Sequence, residues 1–172
     1  MTNSQYLPVA SGLGQPRRRH ASAAICGFSR TADDIAGEGD APPQARLDDL
    51  AAFHADLLAT ATGLCPSPRW TQVFAPLGRA MAEFELPLNL LADLLSAFEQ
   101  DVVKQRYASE AELLDYCNRS ANPVGRLLLH LYDVHGADAL HQSDCICTAL
   151  QLINFWQDLS VDIPRGRIYL PA

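Results

Sequence analysis

Helix-compatible stretches follow one another along this chain with almost no strand-like alternation, and that excludes most sheet-based folds. Residues 1–16 carry Pro8, Gly12, Gly14 and Pro16 and read as irregular. A first helix is expected from about His20 to Ile35, broken by Gly37, Gly39, Pro42 and Pro43. Over 45–63, Leu47, Leu50, Phe53, Leu57, Leu58 and Ala61 approximate one apolar helical stripe. Cys65-Pro66-Ser67-Pro68 reads as a loop, and helices over 70–84 and 88–105 follow, separated near Pro87. Ser109 with Glu112 three residues on forms a capping box for a helix that runs to about Arg119. Asn122-Pro123 opens another, ending near Gly136, and the last runs from about Ala137 to Val161. The expected class is all-α. Phe74, Phe84, Phe98 and Trp156 are core candidates, and Arg17-Arg18-Arg19 reads as a solvated loop.

At 172 residues the chain is expected to form one domain, 1–172, with enough apolar side chains (48%) to bury a core. A net charge of −7 argues against nucleic acid as a partner, and an anionic ligand would need cations to bridge it to the acidic side chains. No apolar run reaches the roughly 18 residues of a membrane-spanning helix. The N-terminus lacks an apolar signal core, so the five cysteines are expected as reduced thiols and the chain as cytoplasmic.

The chemistry concentrates at two places. In Gln151-Leu152-Ile153-Asn154-Phe155-Trp156-Gln157-Asp158-Leu159-Ser160-Val161-Asp162, the residues Asn154, Asp158 and Asp162 recur every four positions. On a helix they stack on one face, through apolar surroundings. Spacing alone also fits a solvated stripe, but carboxylates in an apolar setting are costly unless compensated. Mg²⁺, which takes one or two carboxylates plus water and substrate phosphates, is the natural compensation. Arg165 and Arg167, just beyond, suit phosphate charge or the end of a helix dipole. The second acidic cluster, Arg30-Thr31-Ala32-Asp33-Asp34-Ile35-Ala36-Gly37-Glu38-Gly39-Asp40, follows the apolar run Ala21 to Phe28. Helical bundles build metal sites from side chains on facing helices in this way.

Four ordered phrases resemble the squalene/phytoene synthase family, with most similarity to its bacterial hydroxysqualene synthase branch in hopanoid biosynthesis. They are Phe28 to Ala36, Leu94 to Asp101, Tyr116 to Gly125, and Leu150 to Pro171. The resemblance implies an isoprenoid-synthase-type helical bundle around a central apolar cavity, lacking the family's C-terminal helices. It implies a Mg²⁺-dependent enzyme that ionises presqualene diphosphate and captures water to give hydroxysqualene and diphosphate, without NADPH. Presqualene diphosphate, squalene and phytoene synthases, acting on farnesyl or related diphosphates, are the alternatives within the family. A non-catalytic partner of the pathway's other synthases is an alternative outside catalysis. Peripheral membrane contact would follow from the oily product.

Carried over by position, the resemblance makes Asp33, Asp158 and Asp162 catalytic metal ligands. It assigns Arg30, Gln151, Asn154 and Arg167 to the diphosphate. Tyr116, Ala121 and Gly125 match the helix break that lines the hydrocarbon cavity. The family pattern has an aspartate where this chain has Gly37, so Asp34 with Glu38 is the remaining four-residue pair for a metal, rotated by about 100° around the helix.

Overall fold

Proline stands at or beside the first position of several helices, where its fixed φ and missing N–H are favourable. The computed structural model describes residues 16–37, 39–104 and 106–157. Its elements are α1 (Pro16–Gly37), α2 (Pro43–Ala61), a 3₁₀ turn (Pro68–Trp70), α3 (Thr71–Phe84), α4 (Leu88–Val103), α5 (Glu110–Ser120), α6 (Asn122–Leu131) and α7 (Ala137–Gln157). Among the described residues there is no strand, and the all-α expectation holds.

Three local expectations shift. α1 starts at Pro16, so the three arginines lie in its first turns and not in a loop. Arg17 pairs with Glu83 of α3, and the Arg18 guanidinium lies 4.9 Å from the Tyr132 ring centre. Both partners come from distant sequence, which a local reading does not see. α6 ends at Leu131, short of Gly136, because Asp133 takes a left-handed φ of 59°. The N–H of Val134 then donates back to Leu129. Ser109 caps α5 by accepting from the N–H of Glu112 at 3.3 Å. The Glu112 carboxylate, however, accepts from the N–H of Ala108 and pairs with Lys104, so the reciprocal arm of the capping box lands one residue early.

The main core lies between α1, α2, α3, α4 and α6. Phe28, Phe53 and Phe74 are fully buried, with Phe53 5.2 Å from Phe28 and 4.8 Å from Phe74 between ring centres. Such ring pairs add to the area they remove from water. α4 is the shared wall. Leu91, Leu94 and Leu95 face this core, while Ala97 turns to a second, smaller cluster with Tyr107, Leu113, Tyr116, Cys117 and Phe155. That smaller cluster is where α7 attaches to α4 and α5.

α7 departs from the usual amphipathic pattern. Phe155 is its one buried residue. Ser143, Asp144, Thr148, Gln151 and Asn154 are half-buried together with Leu140, Cys147 and Leu152, while Ile146, Leu150, Ile153 and Trp156 are exposed. Trp156 is 56% exposed, so its expectation as core is corrected: one residue on from the buried Phe155, it is turned about 100° around the helix. Phe74 and Phe98 are buried and Phe84 packs against the main core, as expected.

Candidate functional site

The buried residues of α1, Ala21, Ala24, Ile25, Phe28, Ala32 and Ala36, repeat with the helical period and fix which face meets the core. Cys26, Arg30, Asp33 and Gly37 then fall on the opposite side, and Arg30, Asp33 and Asp34 are exposed. Burial pushes the Cys26 thiol above its ordinary range, while the charge of Arg30, one turn on, works against that shift. A β-carbon added at Gly37 would meet nothing within 4 Å. The end of this helix is held from outside. Arg46 of α2 donates to the carbonyls of Ala36, Gly39 and Ala41, at 2.9, 2.5 and 3.0 Å. Helix C-termini leave carbonyls that need such partners, and Arg46 fixes the turn that follows the acidic cluster.

At the other pole, α5 and α6 are separated by the single residue Ala121, whose N–H still bonds to Cys117. This break turns both helices against α7. Tyr116 on α5 lies 6.0 Å from Phe155 between ring centres, and Thr148 of α7 donates to the Asn122 side chain at 3.0 Å. Gly125 on α6 is buried against α7. A β-carbon there would come within 2.6 Å of Cys147 Sγ and closer still to Ser143 Oγ, so the helices meet where only glycine fits. Gln151 and Asn154 lie on the half-buried side of α7, next to Phe155.

Behind Tyr116 stands a polar brace absent from the sequence expectations. The Tyr116 hydroxyl donates to the buried Asp101 carboxylate at 2.6 Å. Gln100 donates to the Tyr107 hydroxyl at 3.2 Å and accepts from Arg119 at 2.6 Å. Burial and the charge of Asp101 push the Tyr107 phenol well above its ordinary range. Asp101 did leave a signal: it follows Leu94, Ala97 and Phe98 on the buried face of α4, where an aspartate is out of pattern.

Of the residues expected at the site, Arg30, Asp33 and Asp34 share the exposed side of α1, Tyr116 meets Phe155 where α5 packs on α7, and Gln151 and Asn154 are half-buried on α7. α6 packs against both α1 and α7. Glu38, Asp158, Asp162, Arg165 and Arg167 lie outside the described residues. Among the described residues, no group of three or more histidine, cysteine, aspartate or glutamate side chains is placed to hold a metal ion.

The sequence model for squalene/phytoene synthase matches residues 2–172. The chain belongs to the squalene/phytoene synthase family. It is 40% identical over 171 residues to a hydroxysqualene synthase of Rhodopseudomonas palustris, covering 97% of this chain and 55% of that relative. A hydroxysqualene synthase of Sinorhizobium fredii is 37% identical, with 99% of this chain and 56% of the relative covered. Among solved structures, squalene synthase HpnC from Alicyclobacillus acidocaldarius superposes with a TM-score of 0.80 at 32% identity, covering 92% of this chain and 57% of that one. A dehydrosqualene synthase in complex with ligand superposes with a TM-score of 0.82 at 25% identity, over 98% of this chain and 57% of that one. The helices described above are thus part of a squalene/phytoene synthase bundle, and the chain spans little more than half the length of the relatives it matches.

Proposed function

We propose that this squalene/phytoene synthase chain carries the diphosphate-ionising site of a hydroxysqualene synthase. The reaction would convert presqualene diphosphate and water to hydroxysqualene and diphosphate. The carbon–oxygen bond breaks with its electron pair going to the diphosphate. The cyclopropane opens, and water adds to the resulting cation with loss of a proton.

The observation that carries this reading is the polar, half-buried side of α7, where Gln151 and Asn154 flank the only buried ring of the helix. Polar side chains on the protected side of a helix, with apolar ones outside, point to a polar ligand. Gln151 and Asn154 would bind diphosphate oxygens. Arg30 would add charge from α1, and Arg167 from beyond the described residues. Asp33 and Asp34 form a two-carboxylate set on α1 that suits Mg²⁺, an ion that keeps several waters and takes the rest of its ligands from phosphate. Glu38, Asp158 and Asp162 are the further acidic candidates. Bound Mg²⁺ would supply positive charge to the leaving diphosphate. The cluster of Tyr107, Tyr116 and Phe155 would keep an apolar, water-poor setting beside this polar stripe, with Ala121 and Gly125 shaping the helix break.

Relatives named presqualene diphosphate synthase and phytoene synthase match at 32% and 34% identity, so farnesyl-type diphosphates are the second substrate class. The deciding experiment incubates the 172-residue chain with presqualene diphosphate or farnesyl diphosphate and Mg²⁺, without NADPH, and follows pyrophosphate and organic product. Hydroxysqualene formed from presqualene diphosphate, and lost in Asn154→Ala, supports the proposal. Turnover of farnesyl diphosphate alone supports the second class. No release from either substrate overturns both readings for this chain.

A further inference from the structure

Asp101 sits near the end of α4 with 9% of its surface exposed, at a position the helical period reserves for an apolar residue. Burying a carboxylate is costly, and the cost falls only when the group is hydrogen-bonded. One partner is the Tyr116 hydroxyl, 2.6 Å from its Oδ2. The Tyr116 ring contacts two others, 5.6 Å from Tyr107 and 6.0 Å from Phe155 between ring centres. Tyr107 receives the Gln100 amide, and Gln100 accepts from Arg119. Arg119 donates in turn to Ser96 at 3.2 Å and pairs with Asp115 at 3.0 Å. The α4–α5 pair is therefore braced around Tyr116, and the Tyr116 ring in turn meets Phe155, the one buried side chain of α7. Asn154 is the neighbour of Phe155, and Gln151 lies one turn before it.

We infer that Asp101 is a positioning residue: its carboxylate fixes the Tyr116 ring, the ring seats Phe155, and Phe155 sets where Gln151 and Asn154 stand. The functional side of this inference rests on the proposal that those two residues bind diphosphate. The positional side does not. An aspartate serving only to satisfy a tyrosine would affect the whole bundle alike. An aspartate that seats the end of α7 acts selectively, because Leu152 and Phe155 are the α7 members of this small cluster, whereas Ser143, Cys147 and Thr148 meet α6.

The test compares amide hydrogen exchange, peptide by peptide, in the 172-residue chain and in Asp101→Ala, Asp101→Asn and Tyr116→Phe. Tyr116→Phe keeps the ring and removes the hydroxyl, so it preserves the fold if Asp101→Ala does not. Opening of a local unit is read directly by such exchange. The expected result is faster exchange over 151–157 by about ten-fold or more in Asp101→Ala and Tyr116→Phe, no change over α1 to α3, and recovery toward the parent in Asp101→Asn. Mg²⁺–pyrophosphate affinity measured by calorimetry should fall about ten-fold in parallel, the range seen when supporting contacts behind a site are removed. Unchanged exchange over 151–157, or an equal rise along the whole chain, overturns the inference. If the parent chain binds no pyrophosphate, the diphosphate reading of α7 fails while the exchange data still decide the role of Asp101.

Discussion

The guanidinium of Arg46 donates to the backbone carbonyl of Ala36 at 2.9 Å, so a residue of α2 closes the last turn of α1. It also holds Gly39 and Ala41. Replacing Arg46 by methionine keeps the apolar stem and strands these carbonyls. The expected loss is about 1–3 kcal/mol in urea unfolding, the range for removing a partner from partly buried polar groups. Exchange at the end of α1 should rise more than in α3.

Position 37 offers a gain. Gly37 has open space where a β-carbon would go and lies one helical turn from Asp33. Without metal, Gly37→Asp should lower the melting temperature, because a like charge at i+4 and an anion at a helix C-terminus each cost a few tenths of a kcal/mol or more. With Mg²⁺ and pyrophosphate it should melt above the parent under the same conditions, and EDTA should reverse the order. An equal response of parent and variant to Mg²⁺ would show that position 37 takes no part in metal binding.

Gly125→Ala probes the seam between α6 and α7. Its methyl group would collide with Ser143 Oγ and Cys147 Sγ, both on α7. Overpacking of this kind costs about 1–3 kcal/mol. Thermal unfolding followed by circular dichroism should show the drop, and Ser143→Ala in the same chain should restore part of it. Arg126 and Asp144, bonded at 2.9 and 2.6 Å across the same seam, are the pair most exposed to any resulting shift of α7.

The thiols give a pH test. Burial pushes Cys117 up to about 11, whereas Cys65 and Cys145 are exposed. In the native chain Cys65 and Cys145 should react first with a disulfide reagent, and Cys117 should react only on unfolding. A thiol with a raised folded pKa binds its proton more tightly in the native state. Its stabilisation is complete below the unfolded value of about 8.5 and is lost as pH rises from there through about 11. Tyr107, raised mainly by burial, adds to the same alkaline loss at higher pH. Cys117→Ala should flatten the lower part of that limb.

Much of the fold was legible because local signals and core packing agree. Pro43, Pro87 and Pro123 mark helix starts, and Leu50, Phe53 and Leu57 fall on the face that is buried. The early start of α1 was hidden because Arg17 and Arg18 find partners on α3 and beyond α6. Trp156 was misread for a related reason: α7 buries a single aromatic, and the sequence does not say whether that is Phe155 or its neighbour. At the site, Arg30, Asp33, Gln151 and Asn154 were visible as motif residues. Arg46 and Asp101 were not assigned, because each acts through a partner at the far side of a turn or on another helix. The one hint was a carboxylate in an apolar register of α4.

The outward row Ile146, Leu150, Ile153 and Trp156 has its effect on colloidal behaviour more than on folding. Apolar patches that face water promote self-association. At the concentrations that calorimetry requires, self-association through this row is the expected behaviour. A lysine or glutamate at Ile146 would lower it two turns before Asn154, whereas Leu150 stacks one turn from Asn154 and is left unchanged.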